Sequence, residues 1–246
     1  MFPTSAQLRA AAPSGKQEII DAIANAAPSV FPKYGITNRN RVLGFLSTAL
    51  EESAFRVLTE NLNYTAARLV QVWPSRFPTI ASAEPYASSP RALANKVYGG
   101  RMGNTGTDDG WRYRGQGLIQ ITGKDNFALL QKLTGLPLVA QPDFVTTPEH
   151  MLECSVALFV QYDRILDYCD QGAFQKVWAL VGTGRANGNI INLANHQAAL
   201  DALDKALPVW PPDVPAPKPV PPTPAKPSLW ARFLAWITPK PSPVGD

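Results

Sequence analysis

Apolar positions recur at helical spacing over most of the first 207 or so residues. Ile19, Ile20, Ile23, Ala24 and Ala27 mark one amphipathic stretch, which Pro28 is expected to stop. Thr4 with Gln7, and Ser14 with Gln17, have the capping-box spacing that opens a helix. Thr147 followed by Pro148 pairs a cap residue with a first-turn proline. Met151, Leu152, Ser155, Leu158, Phe159 and Tyr162 continue that pattern, predicting one helix over 148–167. In Arg41 to Ser53, the residues Val42, Leu43, Phe45, Leu46, Ala49 and Leu50 form one broad apolar face. Glu51 falls nearly opposite the middle of that face, and Glu52 at its edge beside the Phe45 row. A carboxyl at the edge of an apolar surface has a raised pKa, because desolvation disfavours its charged form. Pattern alone would still leave both as surface glutamates ending a helix.

Between these helices, Tyr98 to Gly117 is a long irregular stretch with seven glycines. Long glycine-rich loops within a compact domain are disordered or functional. This one carries Trp111, Arg112, Tyr113 and Arg114, which points to function. After Leu207 the composition changes: residues 209–246 hold twelve of the 24 prolines. The expected organisation is a domain over 1–208, a Pro-rich extended linker over 209–228, and a short amphipathic segment with tail over 229–246. Leu229, Trp230, Phe233, Leu234 and Ile237 fall on one face of that segment. It is too short to span a bilayer but long enough to lie on an anionic membrane surface. Docking back on the domain as a satellite helix is the alternative.

The formal net charge of +4 suits an anionic polymer. It suits nucleic acid equally, but no Lys/Arg run or phosphate-binding glycine loop supports that option, and no nucleic-acid partner is expected. Cys154 and Cys169, on one helix, would lie roughly 22 Å apart at its usual rise, too far for a disulfide. Reduced thiols fit a cytoplasmic store. The first residues lack the basic segment and apolar core of a signal peptide. His150 and Cys154 are four apart, but tight zinc sites need three or four clustered ligands, so neither a metal nor another cofactor is expected.

Three segments carry a specific resemblance. They are Leu50-Glu51-Glu52-Ser53-Ala54-Phe55-Arg56 running into Glu60-Asn61-Leu62-Asn63-Tyr64-Thr65-Ala66, then Ala94 to Asn104, then Asp109 to Gly123 ending in Asn126-Phe127. Together they resemble the family 19 glycoside hydrolases, in particular the bacteriophage and prophage endolysin branch. The resemblance implies a mainly α, lysozyme-like or chitinase-type two-lobed helical domain with a substrate cleft. It implies Glu52 as general acid and Glu60 as general base of an inverting hydrolysis, with Thr122 helping to hold the attacking water. Gln120 and Asn126 match amides that grip N-acetyl sugars, a task suited to groups that both donate and accept. Tyr64, Trp111 and Tyr113 offer flat faces for sugar rings, with core packing as the competing reading. Many members have His where this chain has Glu51, and the segment from Phe55 to Glu60 looks about one residue tighter than in typical relatives. Asn192 stands near the family's Ile-Asn-Gly-Gly segment without its glycines, and is carried over as a sugar- or water-binding residue.

The expected activity is cleavage of β-1,4 bonds in peptidoglycan by a monomeric endolysin. Accumulation in the host cytoplasm and release to the wall through a separate membrane pore go with it. A chitinase is the alternative within the class. A non-catalytic wall-binding protein is the alternative outside it, and the presence of both carboxylates argues against that one.

Overall fold

The computed structural model describes residues 2–207, so the expectations for the linker and the amphipathic tail lie outside the described residues. The helix α1, Ser5–Ala11, opens on the expected capping box, with Thr4 and Gln7 satisfying each other's backbone N–H groups. Next comes α2, Gln17–Lys33, and here two expectations fail. Its N-cap is Lys16, without a side-chain cap bond, so Ser14 and Gln17 form no box. The Lys16 N–H instead donates to Phe55 O across the domain, which sets where the helix starts. Nor does Pro28 stop it: the helix runs on through Pro28 and Pro32. A helical proline costs about 3 kcal/mol. Burial of Val30 and Phe31 beyond Pro28 contributes about 1.5–3 kcal/mol each, which offsets the cost of that first proline.

The helix α3, Arg39–Ser53, starts at Asn38, whose side chain accepts from the Arg41 N–H. It is buried nearly all round, from Val42 to Ala49. A Cβ on Gly44 would collide with the Cys169 sulfur, so glycine permits that close approach. The helix ends on Ala54 (φ +50°), followed by Phe55 (φ +46°), two successive left-handed residues that are not glycine. Each costs on the order of 1 kcal/mol of backbone strain. Full burial of the Phe55 ring holds the turn in place.

The chain then enters a smaller lobe: α4 (Ala66–Val72), α5 (Ile80–Ala83), α6 (Pro90–Tyr98) and α7 (Asp109–Arg112). It has its own core of Leu62, Leu69, Trp73, Phe77, Leu93, Val97 and Tyr98. Tyr98 ends α6, and the irregular stretch after it, over 99–117, is loop apart from α7 and an isolated bridge residue, Gln116. The chain returns to the larger lobe through α8, Lys124–Thr134, and α9, Met151–Phe159.

The single helix expected over 148–167 is two. After α9 the chain breaks at Arg164 (φ +55°) and resumes as α10, Ile165–Asp170. The apolar pattern crosses the break because Tyr162 and Ile165 stay in the same core. Thr147 is not the cap; α9 is capped at His150 without a side-chain bond. Cys154 and Cys169, now on separate helices, are buried free thiols. The chain continues through α11, Phe174–Thr183, to α12, Leu193–Ala206. This last described helix packs against both α3 and α1, so the two ends of the described chain meet on one side of the larger lobe. The expected mainly α, two-lobed domain is what the chain forms.

Candidate active site

Two carboxylate centres flank the left-handed turn at Ala54 and Phe55. The first lies in the last turn of α3, where α12 packs across the face expected to meet solvent. Glu51, expected opposite the apolar face, is therefore covered: its side chain is 12% exposed. Asn192, in left-handed conformation at the N-cap of α12, donates from Nδ2 to Glu51 Oε1 at 3.3 Å. One turn on, His196 Nε2 lies 3.6 Å from Glu51 Oε2. The imidazole stacks on Trp178 at 5.0 Å between centroids, and the Trp178 indole donates to Ser47 Oγ at 3.1 Å. Burial pulls His196 down to about 4, so at neutral pH it is neutral and makes no ion pair with Glu51.

Glu51, Glu52, Trp178, Asn189, Ile190 and His196 line a cavity of about 270 Å³. Loss of hydration raises the Glu51 carboxyl, opposed by the Asn192 hydrogen bond. Glu52 is raised further, to about 8, first by desolvation and then by the charge of Glu51. A carboxyl that keeps its proton at pH 7 is able to donate it.

The second centre is the turn that joins the lobes. Thr59 bridges Gln116, and Gln116 bridges Ile121. The Glu60 N–H donates to Gly115 O at 2.9 Å. Glu60 Oε2 accepts from the Tyr98 hydroxyl at 2.6 Å and the Gly115 N–H at 3.4 Å. Burial raises Glu60, while Tyr98, Gly115 and the Arg114 charge each pull back towards the carboxylate. Such donors stabilise the ionised form, the one that accepts a proton. A Cβ on Gly115 would stand 2.7 Å from Gln120 Oε1 and 3.4 Å from Glu60 Oε2, so both side chains lie against this glycine.

Gln120, Thr122 and Asn126 are chained together here. Thr122 Oγ1 donates to Gln120 O, and Asn126 Nδ2 donates to Thr122 O, each at 2.9 Å. Tyr64 packs edge-on to Trp73, and burial together with the Glu60 charge raises its phenol. Trp111 is half-buried under the Arg114 guanidinium.

The residues singled out in the sequence thus fall into three groups. Glu60, Gln120, Thr122, Asn126, Tyr64 and Trp111 gather at or beside the turn between the lobes. Glu52 and Asn192 face the cavity under α12. Tyr113 belongs to the core instead: it is 1% exposed, its ring packs on Phe127, and its hydroxyl donates to Val139 O at 2.8 Å. Two residues given no role at these centres from sequence belong to them. Tyr98 lies inside the segment from Ala94 to Asn104, but nothing in the pattern aims its hydroxyl at Glu60. His196 is one helical turn from Asn192, and that spacing was its only signal. Among the described residues no three His, Cys, Asp or Glu side chains gather as metal ligands.

A protein of Haemophilus influenzae described as "Glycosyl hydrolase family 19 domain-containing protein" is 34% identical over 174 residues, which are 70% of this chain and 82% of that one. Among solved structures, chitinase C from Streptomyces griseus superposes with a TM-score of 0.53 at 15% identity, over 83% of this chain and 75% of that one. A chitinase C mutant gives 0.50 at 12% identity, over 85% and 93%. No family model matches the sequence.

Proposed function

The chain belongs to glycoside hydrolase family 19, and from that premise we propose that it is an endolysin, hydrolysing β-1,4 bonds of peptidoglycan with inversion. The observation that carries the reading is the contrast between the two carboxyls. Burial raises both, Glu52 to about 8, but at Glu60 a hydroxyl and an N–H oppose that rise by favouring its charged form. Environments that push two titratable groups apart assign the acid and the base.

In this mechanism Glu52 protonates the departing glycosidic oxygen, and Glu60 takes a proton from a water on the opposite face of the sugar. The water's oxygen bonds to the anomeric carbon as the glycosidic bond breaks, and no covalent sugar–enzyme species forms. The Thr122 hydroxyl proton is directed at Gln120 O, which leaves its lone pairs to accept from that water. Gln120 and Asn126 hold N-acetyl sugars on the Glu60 side, Asn192 on the Glu52 side, and Tyr64 and Trp111 offer ring faces. The peptidoglycan assignment is supported by the motif strings around Asn61 and Trp111. The same proposal includes accumulation in the host cytoplasm, release through a separate pore, and docking of the 229–246 segment on an anionic membrane.

Digestion of purified peptidoglycan, with chitin alongside, tests it. Mass spectrometry should find new reducing sugars from peptidoglycan, and proton NMR of fresh products should show the α-anomer first. Activity on chitin alone would sink the substrate, and an initial β-anomer or a 1,6-anhydro product would sink the mechanism.

A further inference from the structure

Cations are shared unevenly between the lobes. Residues 56–125, which carry the smaller core and the turn around Glu60, hold nine Lys and Arg against five Asp and Glu. Residues 2–55 and 126–207 hold ten against twelve. Two of the five acids are already engaged, Asp108 with Arg91 at 2.7 Å and Asp109 with Lys124 at 3.1 Å. The surplus reaches Glu60 through Arg114, the residue before Gly115. Its guanidinium lies 3.8 Å above the Trp111 ring, and Nη1 donates to Trp111 O at 2.8 Å. Its Nε is buried and, among the described residues, has no hydrogen-bond partner. Glu60 and Asp143 act on it only as neighbouring charges.

A half-buried cation without a carboxylate costs the fold stability. Stacking on an indole offsets part of that cost and fixes the guanidinium plane. A fixed fork of N–H donors matches the geometry of a carboxylate. A neutral sugar polymer offers such a fork no counter-charge. A wall polymer whose alternate sugars carry acidic peptides does.

We propose that Arg114, held on Trp111, is a carboxylate-recognition site beside Glu60 that reads the acidic substituent of the polymer and selects anionic over neutral glycans. The inference rests on the peptidoglycan reading above and names the group that recognises the acid.

The test compares soluble peptidoglycan fragments bearing their stem-peptide carboxylates with the same fragments after those carboxylates are converted to amides. Full-length wild type should lose about tenfold to a hundredfold in kcat/KM on amidation, mostly through KM, the usual worth of a charge-assisted hydrogen bond. Arg114→Gln should lose a similar factor on the acidic fragments and become insensitive to amidation, with Arg114→Lys between the two. Because the comparison is a ratio for each enzyme, any effect of Arg114 on Glu60 cancels. The wild-type arm reads out whether or not the variant folds. Equal cleavage of both fragments by wild type would overturn the site and leave the peptidoglycan activity standing. An Arg114→Gln enzyme that keeps full sensitivity to amidation would overturn the role of Arg114. A wild type that cleaves neither would overturn the functional reading and this inference with it.

Discussion

Replacing Glu52 by glutamine removes one titrating proton from the cavity under α12 and keeps the side chain's shape. In an unfolded chain this carboxyl titrates at its ordinary 4.5, and in the fold at about 8. Below the lower value both states hold the proton and the fold bears no penalty. Between the two values the unfolded chain ionises first, so it binds fewer protons than the native state and stability falls as pH rises. At pH 7 the gap is about 2.5 units, which at 1.36 kcal/mol per unit amounts to about 3 kcal/mol. Glu52→Gln abolishes that dependence. For a domain of this size it should melt about 6–12 °C above wild type at pH 7, and close to wild type at pH 4. Circular dichroism melts of both proteins at pH 4, 6 and 8 would measure this. Activity should fall by about 10²–10⁴-fold, the worth of general acid–base catalysis. An inactive variant whose melting advantage is the same at every pH would refute the reasoning, since amide packing carries no such pH dependence.

Three further outcomes follow from the same geometry. Tyr98→Phe removes a donor that favours ionised Glu60, so its pKa should rise and the acidic limb of the pH–rate profile should move to higher pH; an unmoved limb would detach Tyr98 from the base. Glu51→Gln removes the negative charge beside Glu52, so the alkaline limb should move to lower pH while the rate near pH 6 stays within a few-fold of wild type; loss of all activity would shift the acid assignment by one residue. Deleting residues 209–246 should leave hydrolysis of purified peptidoglycan nearly unchanged and weaken sedimentation with anionic vesicles. A truncated chain that fails to fold would place the tail within the domain.

The legible part of this protein was the part whose contacts are local in sequence. The Thr4 box and the apolar row of α3 depend on neighbours three and four residues away, and both formed as expected. Gln120, Thr122 and Asn126 also lie within seven residues of one another and are joined by their own hydrogen bonds. Pro28 and Arg164 misled for opposite reasons. Distant burial carried α2 through a proline, and a left-handed residue at an ordinary arginine left no mark in the apolar pattern. The environment of Glu51 was illegible because the residues covering it come from α11 and α12, more than 120 positions later. A helical wheel places a residue relative to its own helix and is silent about what arrives from elsewhere.

That separation also has a consequence in time. The chain is synthesised from its N-terminus, and α12 follows Glu52 by about 140 residues, or about 7–30 s at ordinary translation rates of 5–20 residues per second. Until His196 and Asn192 have been made, Glu51 lacks the side chains that cover it. Part of the burial around the two carboxyls therefore arrives with α12, long after the carboxyls themselves have been made.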